Sequence, residues 1–371
     1  MEPYRYVPVI KGKTNDLKAI AKVSARRRAL VKPLVEMVPV GPDDSVDTHL
    51  ESFAHNLVKF GPAQNLFADL YGLLPGQTIA DGTDATLAGY RLLRSKGVIP
   101  TPVYGFDRDD SIWDSLRVEV QRFGRGFCFR IDIEDLDDRS EETWAAILER
   151  SAQLGLRPSQ TDLMIDLRYV GEDDCDRLKN LVVDFLGFMP NDSEYRSLII
   201  SGSSAPKDVS GVPKDGNGAI PRKELQVWMQ LQADLFGFRV LTYSDYGVVN
   251  PDFTMMGPNK NANAKIRYTT SGKIRIHRGH RLADAPGYRQ YHLLAGRVRD
   301  SSEYQGRDFS EGDRYIDDCA DLNAGTGNLG TWVFVDMNHH FEIAASQVEG
   351  LSTRIDESFS ADAIAEIMET V

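Results

Sequence analysis

Short apolar, β-branched runs recur at Tyr6–Ile10, Leu34–Val38, Leu66–Leu70, Thr101–Phe106, Phe127–Ile133, Leu163–Leu167, Leu198–Ser201 and Val240–Tyr243. Their starts lie roughly 30 residues or a little more apart, the length of a strand-helix-strand unit. Between them apolar residues keep helical spacing: Leu50, Phe53, Ala54, Leu57 and Val58, then Trp144, Ile147 and Leu148, then Leu178, Leu181, Val182 and Phe185. Gly61, Gly97, Gly124, Gly155, Gly187 and Gly237 follow such stretches, where a left-handed C-terminal cap favours glycine. Strands alternating with helices predict an α/β protein with a parallel sheet, and the eight runs favour a closed (β/α)8 TIM-like barrel over an open doubly wound sheet. Pro8 and Pro102 fall inside two runs, where the missing N–H predicts shortened or irregular strands.

Two segments exceed what a minimal barrel needs. Ser201 to Pro221 is rich in Gly, Pro and Ser and reads as a long loop after the seventh strand, at the end where barrel mouths are covered. After the eighth strand, Ala264–Thr269 and Lys273–His277 flank Ser271-Gly272 and predict a β-hairpin at about 260–280, followed by a final barrel helix near Gly287–Val298. The barrel with this insert is expected over 1–300. Residues 301–371 are expected to be a helical C-terminal extension packed on it: a polar helix near Glu311–Leu322, a glycine-rich break at Gly325–Gly330, an apolar segment Thr331–Val348 and a short helix Ala361–Glu369.

With 371 residues, 42% of them apolar, the chain can bury a large core, and its charged content of 26% lies near the globular average, which excludes disorder, collagen-like and coiled-coil readings. The 43 basic and 55 acidic residues leave a net charge of −12, which opposes nonspecific attachment to nucleic acid or anionic membrane. Cys128, Cys175 and Cys319 are odd in number and lack C-x-x-C spacing, so neither a disulfide framework nor a zinc knuckle is expected and a reducing cytoplasm fits best. Met1-Glu-Pro-Tyr-Arg5 runs into an apolar strand rather than a signal-peptide core, and no apolar stretch approaches the ~20 residues that span a bilayer.

Side chains alternate across a barrel strand, so charged residues of one parity near strand ends converge on one mouth. Arg130, Asp132 and Glu134 alternate with Phe129, Ile131 and Ile133, and Asp166 and Arg168 alternate with Ile165 and Leu167. The same logic places Lys11 and Lys13 after the first strand, Glu36 in the second and Asp69 in the third. It adds Tyr104 in the fourth, Ser201 and Ser203 after the seventh, and Tyr243 and Asp245 at the eighth. Such a rim would bind a small anion through Lys13, Tyr104, Arg130, Arg168, Ser201, Ser203 and Tyr243. A Mg²⁺-like ion would suit Glu36, Asp132 and Asp166, with Lys11, Asp132, Glu134 and Asp245 as candidate proton carriers. The structural alternative is a buried layer in which Arg130 with Asp132 and Arg168 with Asp166 form fixed salt bridges without a reaction.

Sharper motifs fail. His277-Arg278-Gly279 imitates the His-Arg-Gly opening of glycerophosphodiester-type phosphodiesterase barrels, but there it ends the first strand and here a late hairpin. No G-x-x-x-x-G-K-S/T loop, G-x-G-x-x-G turn after a strand, H-E-x-x-H or G-x-S-x-G elbow is present, which removes the commonest nucleotide-triphosphatase, dinucleotide, zinc-protease and serine-hydrolase readings. Arg26, Arg27 and Arg28 end a helical segment, the ordinary place for cations. Arg275, Arg278, Arg281, Lys260, Lys265 and Lys273, with Tyr268 and Phe253, give the hairpin a basic bias that would suit an anionic ligand or single-stranded nucleic acid, against an ordinary solvated loop. Adjacent histidines diverge by roughly 100° on a helix, so His339 and His340 are expected as one packed and one surface ring rather than as one metal site.

The opening Tyr6-Val-Pro-Val-Ile-Lys-Gly-Lys13, an amphipathic helix, then Lys32-Pro-Leu-Val-Glu-Met37, with the late Trp332 and Asn338-His339-His340, resembles the beta-protein family of phages and bacteria over nearly the full chain. Lys11, Lys13 and Glu36 are the positions that match its opening motif. The resemblance implies phage-related loci, including an exclusion and defence module in which a beta protein accompanies a growth-inhibiting partner. The expected function is therefore a component of such a module whose barrel mouth binds a small phosphorylated or nucleotide-like anion and senses or hydrolyses it, any hydrolysis being metal-assisted. The alternative is a non-catalytic interaction or immunity protein that regulates a partner from the same locus, with no membrane and no general nucleic-acid role.

Overall fold

The computed structural model describes residues 4–61, 65–124, 126–137, 139–190, 194–235, 239–252 and 261–356. In chain order its strands are β1 (Tyr6–Lys11), β2 (Leu34–Glu36), β3 (Phe67–Asp69), β4 (Thr101–Gly105), β5 (Phe127–Asp132), β6 (Thr161–Tyr169), β7 (Ser197–Ser203), β8 (Asn217–Pro221), β9 (Thr242–Asp245), β10 (Asn263–Thr269) and β11 (Lys273–Arg281). Its helices are α1 (Thr14–Ala21), α2 (Ala25–Arg28), α3 (Val46–Phe60), α4 (Ala85–Ser95), α5 (Asp110–Phe123), α6 (Ser140–Leu154), α7 (Cys175–Gly187), α8 (Lys223–Asp234), α9 (Gln290–Arg299), α10 (Glu311–Ala320) and α11 (Leu329–Asp356).

Strands β1 to β7 and β9 pair in parallel and close on themselves as a (β/α)8 barrel. Strands β1 and β4 run straight through Pro8 and Pro102. Helices begin where the sequence supplies a cap: the side chains of Ser45, Asp84, Asp109, Asp174 and Ser310 each accept a backbone N–H of the first turn. Gly124 and Gly155 end α5 and α6 in the left-handed region, whereas Gly61 is extended, Gly187 is still helical and Gly237 lies outside the described residues.

The barrel interior is filled by Val7, Val9, Leu34, Phe67, Val103, Cys128, Met164, Ile199 and Tyr246. A large side chain removed from water this completely contributes about 1.5–3 kcal/mol. Alternate residues such as Tyr6, Ile10, Val35, Ala68, Phe129, Ile165 and Ile200 face outward against the helices. This parity decides which charged residues reach the mouth.

Three elements differ from the sequence expectation. The stretch after β7 ends in β8, which pairs antiparallel with β11, so the hairpin becomes a three-stranded sheet in the order β10-β11-β8. A five-residue strand containing glycine and proline carries too little pattern to be read from sequence. Helix α9 is not the last barrel helix: its Tyr291, Leu294, Ala295 and Val298 pack with Ala264, Ile266 and Tyr268 of β10 in a second core. The barrel position falls to α11, whose Met337, Phe341, Ala344 and Ala345 join the core of Tyr6, Ile10, Leu17 and Ile20. The last barrel strand also begins at Thr242 rather than Val240. The expected helix Ala361–Glu369, together with Phe253 and Lys260, lies outside the described residues.

Candidate functional site

At the C-terminal ends of the barrel strands, one guanidinium gathers three carboxylates. Arg130, inward on β5, donates from Nε and Nη2 to Asp166 Oδ2 at 2.9 and 2.7 Å, and from Nη1 to Glu36 Oε1 at 2.6 Å and Asp69 Oδ2 at 2.9 Å. Its Nη2 also reaches the Tyr246 hydroxyl at 2.6 Å, and that hydroxyl donates to Asp166 Oδ2. Lys11 pairs with the other oxygen of Glu36. Arg108, from the loop after β4, folds back onto Asp69 with contacts of 2.7 and 2.8 Å. The ladder produces this meeting, since Lys11 lies opposite Glu36, Glu36 opposite Asp69, and Asp132 opposite Asp166.

Arg130, Glu36, Asp69 and Asp166 are buried, and such charges persist only when paired this completely. Burial would raise the Glu36 pKa, but Arg130 and Lys11 outweigh it and hold the carboxyl at about 2. Burial drives the Tyr246 hydroxyl well above its usual range. Arg130 sits between Glu36 and Asp166, which counts against a metal there: of the three carboxylates meant for Mg²⁺, these two give oxygens to a guanidinium, while Asp132 accepts the backbone N–H of Glu134 at 3.3 Å. Among the described residues, no group of three or more His, Cys, Asp or Glu side chains is arranged to hold a metal ion.

Above this layer the rim is looser. Arg168, at the end of β6, has φ +58°, a left-handed conformation that a side chain with a Cβ seldom adopts. Its contacts are long: 3.3 Å to Asp252, 3.4 Å to the Tyr246 hydroxyl and 4.0 Å to Asp166. Burial opposes its charge, yet Tyr246 and Asp166 prevail and raise its pKa. Asp132 is half-buried, and burial followed by the proximity of Asp166 raises its pKa.

Lys11, Glu36, Arg130, Asp132, Asp166, Arg168, Ser201 and Ser203 all lie at the C-terminal ends of the strands, but several predicted partners do not join them. Asp132 caps a short turn over Ile133–Asp135, which carries Glu134 out to solvent, so the strand parity stops two residues before Glu134. Lys13 is exposed at the cap position of α1. Ser201 accepts from Ser244 at 3.0 Å, and Ser203 donates to the Val249 carbonyl at 3.0 Å. Tyr104, Tyr243 and Asp245 have the opposite parity and face the helices. Tyr104 packs edge-on to Trp113, and Tyr243 packs edge-on to Trp228 and stacks on Tyr6. Arg108 and Tyr246 escaped the sequence reading. Tyr246 keeps the inward phase of Thr242 and Ser244, whereas the sequence pattern put the opposite residues, Tyr243 and Asp245, inward; Arg108 lies in a loop, where parity says nothing.

The barrel's other end is charged too: Asp162 accepts from Tyr4 and Ser197, each at 2.8 Å, and pairs with Arg196. Asn338-His339-His340 is a hub, with all three residues fully buried. Asn338 donates to the Ala19 carbonyl and accepts from Gly312 N, both at 2.9 Å. His339 places its nitrogens 2.8 Å from Asp313 Oδ2 and from the Thr269 carbonyl, and His340 places its own near Asp245 and the Thr269 hydroxyl. The expectation of one surface imidazole is thus corrected, because the inserted sheet and α10 cover the face assumed to be solvated. In the hairpin, Arg275 pairs with Glu303, Arg281 contacts Asp284, and Arg278 is buried, so these arginines do not form one open basic strip.

No helix among the described residues is long and apolar enough to cross a membrane, and Cys128, Cys175 and Cys319 are free thiols. Among solved structures, the chain is similar to triosephosphate isomerase from Bartonella henselae at 15% identity, covering 65% of this chain and 91% of that one, with a TM-score of 0.34. It is also similar to a GH128 subgroup I endo-beta-1,3-glucanase from Amycolatopsis mediterranei, in complex with laminaritriose, at 13% identity, 66% and 87% coverage and a TM-score of 0.24. At these scores neither likeness bears on chemistry. No match is found among curated proteins. Residues 6–345 match the family model described as Beta protein, and the chain therefore belongs to the Beta protein family.

Proposed function

We propose that this protein binds a small anionic molecule at the C-terminal mouth of its barrel and acts as a ligand-sensing component of a phage-defence or exclusion system. The contrast between two arginines carries the reading. Arg130 makes contacts of 2.6–2.9 Å to three buried carboxylates and is a fixed part of the floor. Arg168 is held above that floor in a costly backbone conformation, with contacts of 3.3–4.0 Å. Backbone strain of ~1–3 kcal/mol concentrates at ligand-binding and switch positions. A guanidinium with long contacts exchanges them readily for a phosphate or carboxylate, which it grips in bidentate fashion. The floor's carboxylates and bases are already bound to one another, which favours recognition over metal-assisted hydrolysis.

Thermal denaturation at low ionic strength with inorganic phosphate, pyrophosphate or AMP tests this, since a ligand that binds only the folded state raises Tm. At least one of these probes should stabilise the native protein, and Arg168→Ala should abolish that shift while Lys273→Ala at the distant hairpin keeps it. An unchanged shift in Arg168→Ala, or no shift with any probe, overturns the reading.

A further inference from the structure

A cavity of about 460 Å³ lies between the segment after β7, the β10–β11 sheet and helix α11. Strand alternation aims Lys265 and Arg267 into it while Ala264, Ile266 and Tyr268 face the second core. The antiparallel register sets Arg278 directly opposite Lys265. Helix α11 supplies Asp336 and Trp332, and α9 supplies Tyr291, whose ring lies parallel to Trp332 with centroids 4.4 Å apart. Three cations and one buried carboxylate therefore share a pocket with an aromatic wall.

Their valences are only partly met from within: Arg278 Nη1 donates to the Val209, Ser210 and Val212 carbonyls. Asp336 Oδ1 and Arg278 Nε are buried and have no hydrogen-bond partner among the described residues. Arg267 stands 3.7 Å from Asp336, too long for a good hydrogen bond. No hydrogen bond or ion pair of the Lys265 ammonium is found among the described residues. Like charges this close, with an acceptor left empty, are unfavourable in a vacant pocket and favourable around an anion that brings its own donor.

We propose that this cavity is a second ligand site, separate from the barrel mouth, for a small phosphate- or carboxylate-bearing molecule that also carries a hydroxyl. The anionic group sits among Lys265, Arg267 and Arg278, the hydroxyl donates to Asp336, and the carbon skeleton lies along Tyr291 and Trp332. The volume falls within the range of small-molecule pockets, about 300–1,000 Å³. The charge of the site changes near neutrality. Arg267 and then burial bring the Lys265 pKa down to about 8, and burial brings Asp336 up to about 7 against the pull of Arg267 and Lys265. Among the described residues, the remaining charged group around them is Asp208, on the segment after β7. Below pH 7 the pocket holds a charged lysine and a neutral Asp336; above pH 8 both changes reduce its positive charge, so affinity for an anion falls as pH rises.

Isothermal titration of the intact protein with glycerol 3-phosphate and, as the carboxylate arm, malate tests the site at pH 6 and pH 8. One or both should bind, more tightly at pH 6. Lys265→Met, which keeps the apolar stem, should weaken binding about tenfold, the usual effect of losing one charge-assisted contact. Made on an Arg168→Ala background, which removes uptake at the mouth, Lys265→Met should weaken binding by the same factor, so failure here is distinguishable from failure of the mouth reading. Asp336→Asn, nearly isosteric and folded in the same way, should bind more tightly than the native protein at pH 8 and lose much of the pH dependence, which a merely structural carboxylate does not predict. Equal binding by Lys265→Met, weaker binding by Asp336→Asn at pH 8, or no binding of either probe at millimolar concentration overturns the proposal.

Discussion

His340 Nε2 lies 2.8 Å from Asp245 Oδ2 with both residues buried, so the helix that follows the inserted sheet is fastened to the outer face of the last barrel strand. The same carboxylate accepts from the Tyr6 hydroxyl at 2.7 Å and from Gly247 N at 2.9 Å, while Thr269 of β10 holds the other ring nitrogen at 2.9 Å. Burial favours the protonated acid, but His340 and Arg222 prevail and hold Asp245 at about 2. Replacing His340 by Ala leaves a buried carboxylate short of its main partner and opens a cavity. The expected cost is about 3 kcal/mol, at the lower end for a broken buried pair because Tyr6 and Gly247 remain. Urea denaturation reads this as a fall in midpoint; a loss below about 1 kcal/mol would show that the contact is not a clamp.

The barrel was legible in the sequence because strand and helix periods differ and each β-branched run carries its own signal. The mouth was legible only where a strand's phase was anchored by several residues. Arg130 and Asp166 sit in long strands with clear alternation, and their inward direction was read correctly. Tyr243 and Asp245 sit in a four-residue strand, where a two-residue error in the start reverses nothing locally but leaves the phase unanchored. Pairing was less legible still: in place of the Arg130–Asp132 bridge of the structural alternative stands an Arg130–Glu36–Asp69–Asp166 cluster, because neighbours in a barrel come from adjacent strands rather than from two positions along one. The histidine hub depends on the inserted sheet folding back against α11, and no local pattern reports a contact spanning 95 residues such as His340–Asp245.

Arg130→Met should be among the most damaging single substitutions in the chain. It removes the shared partner of Glu36, Asp69 and Asp166, leaving Lys11 and Arg108 to neutralise three carboxylates from the sides. Removing one member of a buried ionic group costs about 3–5 kcal/mol. Arg130→Lys should rescue little, since an ammonium has no planar fork to span Asp166 and Glu36 together. The check is yield of folded protein and the urea midpoint of both variants; recovery by lysine to near-native stability would contradict the bridging role.

Stability should rise and then fall across the acid-to-neutral range. The folded Glu36 pKa of about 2 lies below its ordinary value, so its pairing stabilises fully above about pH 4.5 and is lost as pH falls through 2. Asp336, raised by burial to about 7, works in the other direction. Between roughly pH 4 and 7 the folded state holds a proton that the unfolded chain releases, so stability declines as pH rises through that window. Asp16, raised by burial to about 6, adds to the decline. Urea midpoints from pH 3 to 8 should therefore peak near pH 4–5. Asp336→Asn should flatten the neutral side, and a native-like slope in that variant would remove Asp336 as its source.

Arg168→Gly should separate binding from stability. Glycine occupies φ near +60° without the Cβ clash that costs other residues ~1–2 kcal/mol, and the contacts it forfeits are the long ones to Asp252, Tyr246 and Asp166. Asp166 keeps Arg130 and Tyr246, so the floor stays neutralised. The glycine's extra freedom in the unfolded chain offsets part of the relief, which leaves an expected gain of up to about 1 kcal/mol. In the same variant, stabilisation by phosphate, pyrophosphate or AMP at the mouth should vanish. A guanidinium kept in a strained position at the expense of stability is the pattern of a residue retained for what it binds. If Arg168→Gly instead loses 2 kcal/mol or more while keeping the anion response, Arg168 is a structural strut, and the mouth must recognise its ligand through other groups.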